Sequence, residues 1–132
     1  MKRERALQVV LVLLGLFYCF WGYFLFESLW HSSWLAQHND IVPMFLSLNT
    51  ALGPCLLVAA RHPRRHRLLI GYAAWQALAH AGTMTIQSAE AAAHGMHRMD
   101  SPWDIVIFAV AGAALLALFP AKEGGELVAN SQ

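Results

Sequence analysis

The chain has 132 residues, of which 58% are hydrophobic and 13% are charged, and its formal net charge is +1 at pH 7. A chain of this length forms one domain at most, and so apolar a composition leaves too few polar side chains to cover a soluble globule. No nucleic-acid-binding motif accompanies the basic residues, so no nucleic-acid partner is expected. The composition therefore predicts an integral membrane protein.

Four apolar runs follow one another along the chain, and they predict helices at about residues 6–26, 41–60, 68–94 and 102–121. About 20 residues rising 1.5 Å each reach across a hydrocarbon core of about 30 Å. Short connections between the runs predict an all-α, up-down-up-down four-helix bundle, with residues 1–121 as a single domain and 122–132 as a short tail. The first run exceeds the apolar stretch of a cleavable signal peptide, so we expect it to be retained as a helix.

Basic residues lie at every second connection. Of nine Lys and Arg residues, three precede the first run, four lie at Arg61–Arg67, one follows the fourth run, and only Arg98 lies elsewhere. Basic residues near helix ends are retained on the cytoplasmic side. The pattern therefore predicts that both termini and the Arg61–Arg67 connection are cytoplasmic, with 31–40 and 90–100 outside.

Small residues indicate where the helices approach one another closely, because side chains of this size let two backbones meet. They are Gly15 and Gly22 in the first helix, Gly53 in the second, Ala73, Ala77 and Ala81 in the third, and Gly112 in the fourth.

The third run carries a row of polar side chains, which we call the polar stripe. It consists of Gln76, His80, Thr83, Gln87, Glu90 and His94. At about 100° per residue, these six positions fall within a sector of a helix about 80° wide. Polar groups that face lipid are costly, so the stripe is predicted to face the bundle interior or a partner.

His80 is the one ionisable residue deep within the predicted spans, and Asn49 and Tyr18 lie at about the same depth. One interpretation is structural: a neutral His80 forms a hydrogen bond with Asn49 or Tyr18. The alternative is a cofactor site, in which His80 with Gln76, Gln87 and Asn49 binds haem or a quinone headgroup, or a proton-relay role for His80.

The predicted outer connections hold a second group of polar residues, namely His31, His38, Glu90, His94 and His97. Imidazole with carboxylate suits zinc, whereas participation of a neighbouring methionine thioether favours copper. A metal site here is one hypothesis, and a polar outer cap with ordinary hydrogen bonding is the other.

Three stretches carry a family resemblance: Met44–Gly53, Leu57–Pro63, and Trp75–Gln87 with the pattern W-x4-H-x-G-x-M-x2-Q. They resemble a family of small, uncharacterised four-helix bacterial membrane proteins, which is similar in layout to the DoxX-like proteins. The resemblance covers about Leu7–Phe119 and implies a multi-pass protein of the bacterial inner (cytoplasmic) membrane. It implies no reaction, and the chain lacks the redox cysteine pair that the thiol-linked relatives would suggest.

Three functions remain. The first is a non-enzymatic accessory or assembly subunit or homo-oligomer, with membrane lipids and a larger membrane complex or further copies as partners. The second is a redox or metal-handling protein that binds haem, quinone, copper or zinc. The third is a small dimeric transporter, which usually needs a carboxylate within the membrane, and here the acids lie at or beyond the helix ends. We expect the first and no enzymatic activity.

Overall fold

The structure is a computed structural model that describes residues 2–31, 41–95 and 102–120. Within these ranges the chain forms four α-helices and no β-strand. The helices are α1 (Lys2–Trp30), α2 (Ile41–Arg61), α3 (Arg67–Ala93) and α4 (Pro102–Ala117). The prediction of an all-α chain with four helices is confirmed. The chain divides into two compact units, an N-terminal unit (Met1–His62) and a C-terminal unit (Pro63–Gln132).

The helix ends differ from the predicted ends where local chemistry extends or stops a helix. α1 begins about one turn before the predicted start because charged residues with good helix propensity precede the apolar run. Glu4 in the first turn also interacts favourably with the helix dipole. α3 ends at Ala93, and Gly95 has φ of 66°, the left-handed conformation that commonly follows a helix. α4 ends at Ala117 rather than near 121, because Pro120 disfavours helical backbone before it.

In the N-terminal unit, α1 and α2 pack antiparallel through glycines. A Cβ built on Gly53 would lie 2.8 Å from Sγ of Cys19 and 3.0 Å from the carbonyl oxygen of Gly15. Nearer the other end of the pair, a Cβ on Gly22 would lie 2.9 Å from Cγ2 of Thr50. The predicted close approach at these glycines is confirmed.

In the C-terminal unit, α3 and α4 also pack antiparallel, with Gly112 at the closest approach. A Cβ on Gly112 would lie 2.6 Å from Cγ of Leu78 and 2.9 Å from the carbonyl oxygen of Ala74. The alanine seam predicted on α3 is buried, at Ala73, Ala77 and Ala81. Small residues therefore set the spacing of both helix pairs.

Two of the described helical segments are long and apolar enough to cross a membrane, Lys2–Trp30 and the Pro43–Arg61 part of α2. The apolar helix α4 is shorter, at 16 residues. α3 has 27 residues, but its polar stripe lowers its hydropathy. The four spans predicted from sequence are thus matched by four helices, of which two have the length and composition of a span.

Candidate functional site on helix α3

The polar stripe lies on α3 beside the face that packs against α4. At about 100° per residue, the centre of the stripe is roughly 100° from the centre of the alanine seam. Its members become more exposed toward the C-terminal end of the helix: Gln76 and His80 are half-buried, whereas Thr83, Gln87, Glu90 and His94 are exposed. Packing with α4 therefore leaves most of the stripe accessible.

His80 contacts the aromatic side chain of Phe108 on α4. The two ring centroids lie 4.5 Å apart at an interplanar angle of 70°, and Phe108 is 2% exposed. Edge-to-face ring pairs of this kind contribute about 0.5–1.5 kcal/mol beyond their buried area. This contact fixes the position of the His80 ring within the C-terminal unit.

Phe108 is the site residue that the sequence interpretation missed. Depth in the membrane predicts polar partners for His80, and it gives no sign of the apolar ring of Phe108 beside it. Phe108 precedes Gly112 by one helical turn, so both lie on the face of α4 that packs against α3. That spacing was the sequence signal that pointed to it.

Asn49 is buried in the N-terminal unit, with 1% of its surface exposed. Its Nδ2 donates a hydrogen bond of 2.8 Å to the carbonyl oxygen of Phe45, one turn earlier in α2. This bond satisfies one of the hydrogen-bonding groups of the buried side-chain amide and gives Asn49 a structural role. The predicted hydrogen bond from His80 to Asn49 or Tyr18 stays a prediction, as does a cofactor site formed by these residues.

The exposed middle of the stripe offers neutral hydrogen-bonding groups. The Thr83 hydroxyl donates a 3.0 Å hydrogen bond to the carbonyl oxygen of Ala79, which leaves the hydroxyl oxygen as an acceptor. Gln87, one turn further on, presents an amide with two N–H donors and one carbonyl acceptor. This part of the stripe can form hydrogen bonds without carrying charge.

Glu90 and His94 lie where α3 ends. Nδ1 of His94 is 2.9 Å from the carbonyl oxygen of Glu90. A carbonyl oxygen can only accept, so this hydrogen bond requires a hydrogen on Nδ1, and in the neutral ring that tautomer has the lone pair on Nε2. Histidines that bind metals usually have this arrangement, in which the second ring nitrogen donates to an oxygen.

The other predicted metal ligands are not brought to His94 by the described residues. His31 is exposed at the end of α1, where its backbone N–H donates to the carbonyl oxygen of Glu27 at 3.0 Å. His38 and His97 lie outside the described residues. Across the described ranges, no group of three or more His, Cys, Asp or Glu side chains is placed to hold a metal ion. The metal site stays a prediction.

Residues 3–124 match the model of a family of unknown function (DUF6632). No curated protein and no solved structure matches the chain.

Proposed function

We propose that this chain, which belongs to the DUF6632 family of unknown function, is a non-enzymatic membrane protein. In this proposal it self-associates through the polar stripe of α3. In this proposal it is a multi-pass protein of the bacterial inner membrane, with both termini in the cytoplasm and a DoxX-like layout. The observation that carries the proposal is a row of polar side chains, most of them exposed, on a helix whose other exposed side chains are largely apolar.

The surface of α1 supports insertion into a membrane. Leu13, Leu16 and Phe20 are each more than half exposed. In the most apolar 18-residue stretch of each helix, only 17% of the residues of α1 and 33% of those of α2 are buried. The core helix of a soluble protein is mostly buried, whereas a lipid-facing helix presents its apolar side chains outward. The arginines at the α2–α3 connection favour a cytoplasmic location of that turn.

The chemistry of the stripe favours a second copy of the same chain as its partner. Two copies inserted in the same orientation are related by a two-fold axis along the membrane normal, so identical residues meet at equal depth. The Thr83 hydroxyl, with its hydrogen donated to Ala79, offers only an acceptor, whereas Gln87 offers both donors and an acceptor. Gln87 of one copy can therefore donate to Gln87 or Thr83 of a second copy. Hydrogen bonds of this kind between membrane helices contribute about 0.6–2 kcal/mol each.

The charged end of the stripe is compatible with the same symmetry. Glu90 and His94 are one turn apart on α3, so in a two-fold pair Glu90 of each copy comes near His94 of the other. Glu90 accepts a hydrogen bond from Nε2 of that ring only when Nε2 carries a hydrogen. Both side chains are exposed in the single chain. Such pairs at the membrane surface add less stability than the buried contacts, because water and salt screen them.

Cysteine cross-linking within native membranes tests this proposal. In a Cys19→Ala/Cys55→Ala background, Thr83→Cys is compared with Gly82→Cys, the adjacent position at nearly the same depth but about 100° around the helix. A Cβ at Gly82 meets no atom within 4 Å, so this control is sterically free. We expect oxidation to give a disulfide-linked dimer for Thr83→Cys at several times the yield of Gly82→Cys.

Each alternative result contradicts the proposal. A higher yield at Gly82 would mean that copies meet through the apolar face of α3. Equal, low yields at both positions, with normal membrane levels of both proteins, would mean that the stripe does not join two copies.

The second candidate function is binding of a metal or cofactor, and the tautomer of His94 favours it. An Nε2 lone pair at the end of α3 is suited to zinc or copper. Bound metal, or the visible absorbance of haem, in the purified protein would support this function, and a preparation with neither would refute it. Self-association through Thr83 and Gln87 needs neither.

A further inference from the structure

The turn that joins α2 to α3 forms a concentrated basic surface. Arg64 and Arg65 are exposed, and Arg67 is half-buried at the start of α3. The sequence holds no Asp or Glu between Asp40 and Glu90, so the turn itself contains no acidic residue. Guanidinium groups recognise phosphate oxygens through paired hydrogen bonds.

Arg67 is held in place by packing within the C-terminal unit. Its guanidinium carbon lies 5.1 Å from the centroid of the Phe119 ring, in a cation–π contact. The ring of Phe119 fits beside Gly71, where an added Cβ would lie 3.4 Å from Cε2 of Phe119. A fixed guanidinium loses less conformational entropy on binding than a freely rotating one.

Two sets of donors at this turn require acceptors. Nε of Arg67 is buried, and among the described residues no group accepts its hydrogen. α3 starts after His66 with no side-chain cap and with no acidic residue in its first turn, so its first backbone N–H groups also need acceptors. An anion with several acceptor oxygens at the surface of the turn satisfies the backbone N–H groups. The buried Nε lies out of its reach.

An apolar row begins where the arginines end. Leu68 is 92% exposed, and Tyr72 and Trp75, one and two turns further along α3, are 59% and 66% exposed. These positions lie on one side of the helix. A free phosphate ion would gain nothing from such a row, whereas the acyl chain of a phospholipid would pack along it.

We infer that Arg64–Arg67 and the apolar row bind an anionic phospholipid, with the arginines on its phosphate and the row along an acyl chain. This inference rests on the proposed membrane insertion and places the turn at the cytoplasmic leaflet. Anionic headgroups in that leaflet attract basic segments near the surface.

Lipid binding is measured on the full chain in a nonionic detergent, titrated with phosphatidylglycerol and, separately, with phosphatidylcholine. Bound lipid is counted by native mass spectrometry. Arg65→Lys/Arg67→Lys keeps the charge but removes the paired guanidinium donors. Arg3→Lys/Arg5→Lys makes the same change in the other basic cluster and serves as the matched control. Inorganic phosphate is added as a competitor to separate a lipid site from a site for the free anion.

We expect the wild type and the Arg3/Arg5 control to prefer phosphatidylglycerol by about tenfold, which corresponds to 1.4 kcal/mol. The Arg65/Arg67 variant should lose most of that preference, and millimolar phosphate should not displace the lipid.

Equal binding of both lipids by the wild type overturns the inference, as does an equal loss in both variants. Displacement by phosphate would mean a free-anion site. If the unsubstituted chain shows no lipid preference while the Thr83→Cys protein cross-links, this inference alone is refuted. If the lipid preference is present and the Thr83→Cys protein does not cross-link, self-association alone is refuted.

Discussion

Replacing Gly53 by valine is expected to separate α1 from α2 and to lower the free energy of unfolding by about 3 kcal/mol, at the upper end of the usual cost of overpacking. A Cβ at this position would lie 2.9 Å from the backbone nitrogen of Cys19 and 3.0 Å from the carbonyl oxygen of Gly15. A side chain can rotate away from a clash, but these backbone atoms can yield only if the whole helix moves. The branched valine side chain adds further atoms to the same contact.

The measurement is reversible unfolding in mixed micelles, followed by the loss of helix signal. Gly82→Val is the matched control, because a Cβ at Gly82 meets nothing within 4 Å. We expect this control to stay within about 0.5 kcal/mol of wild type, as surface substitutions usually do. If the Gly53 variant unfolds like the Gly82 variant, the helices of the N-terminal unit do not cross at Gly53.

Phe108→Ala is expected to give the second-largest loss. The ring is 2% exposed and lies 4.5 Å from the His80 ring, centroid to centroid. In soluble proteins a buried Phe→Ala change costs about 3–5 kcal/mol. In a membrane the transfer part of that cost falls away, because lipid is as apolar as the core. The packing part remains, and we expect about 2 kcal/mol.

The same unfolding experiment measures this effect, with Phe20→Ala as the control. Phe20 is 60% exposed on α1 and its ring meets only Phe24 of the same helix edge to face, at 5.3 Å between centroids, among the ring contacts described. The identical chemical change there should cost no more than about 1 kcal/mol. Similar losses for the two variants would show that Phe108 does not form part of the core of the C-terminal unit.

The helices and their closest contacts could be predicted from sequence because they depend on local patterns. The apolar runs indicated where the four helices lie. Gly53 and Gly112 indicated the closest approaches, since only glycine leaves room for a neighbouring backbone, and both approaches are confirmed. Burial of the alanine seam followed from its four-residue spacing.

The neighbours of the polar residues could not be predicted in the same way. Depth along a helix follows from counting residues, but the neighbour of a side chain also depends on how each helix is rotated about its axis. Depth alone therefore placed His80 level with Asn49 and Tyr18 and could not reveal the contact of its ring with Phe108. Asn49 forms a hydrogen bond within its own helix, a possibility that depth does not reveal. The predicted metal site depends partly on His38 and His97, which lie outside the described residues.

Two proposals depend on membrane insertion with both termini in the cytoplasm: self-association through the polar stripe, and the lipid site. Three exposed histidines near helix ends, His31, His62 and His94, allow one identical substitution to be compared along the chain. Each is changed to cysteine in the Cys19→Ala/Cys55→Ala background, and a fourth variant carries a cysteine appended after Gln132.

Intact cells are treated with a membrane-impermeant maleimide, and the same variants are labelled again after the membrane is permeabilised. Insertion as proposed predicts labelling from outside at positions 31 and 94, and labelling only after permeabilisation at position 62 and at the appended cysteine. Labelling of position 62 from outside while 31 and 94 are protected, or recovery of the protein in the soluble fraction, would contradict insertion with both termini in the cytoplasm.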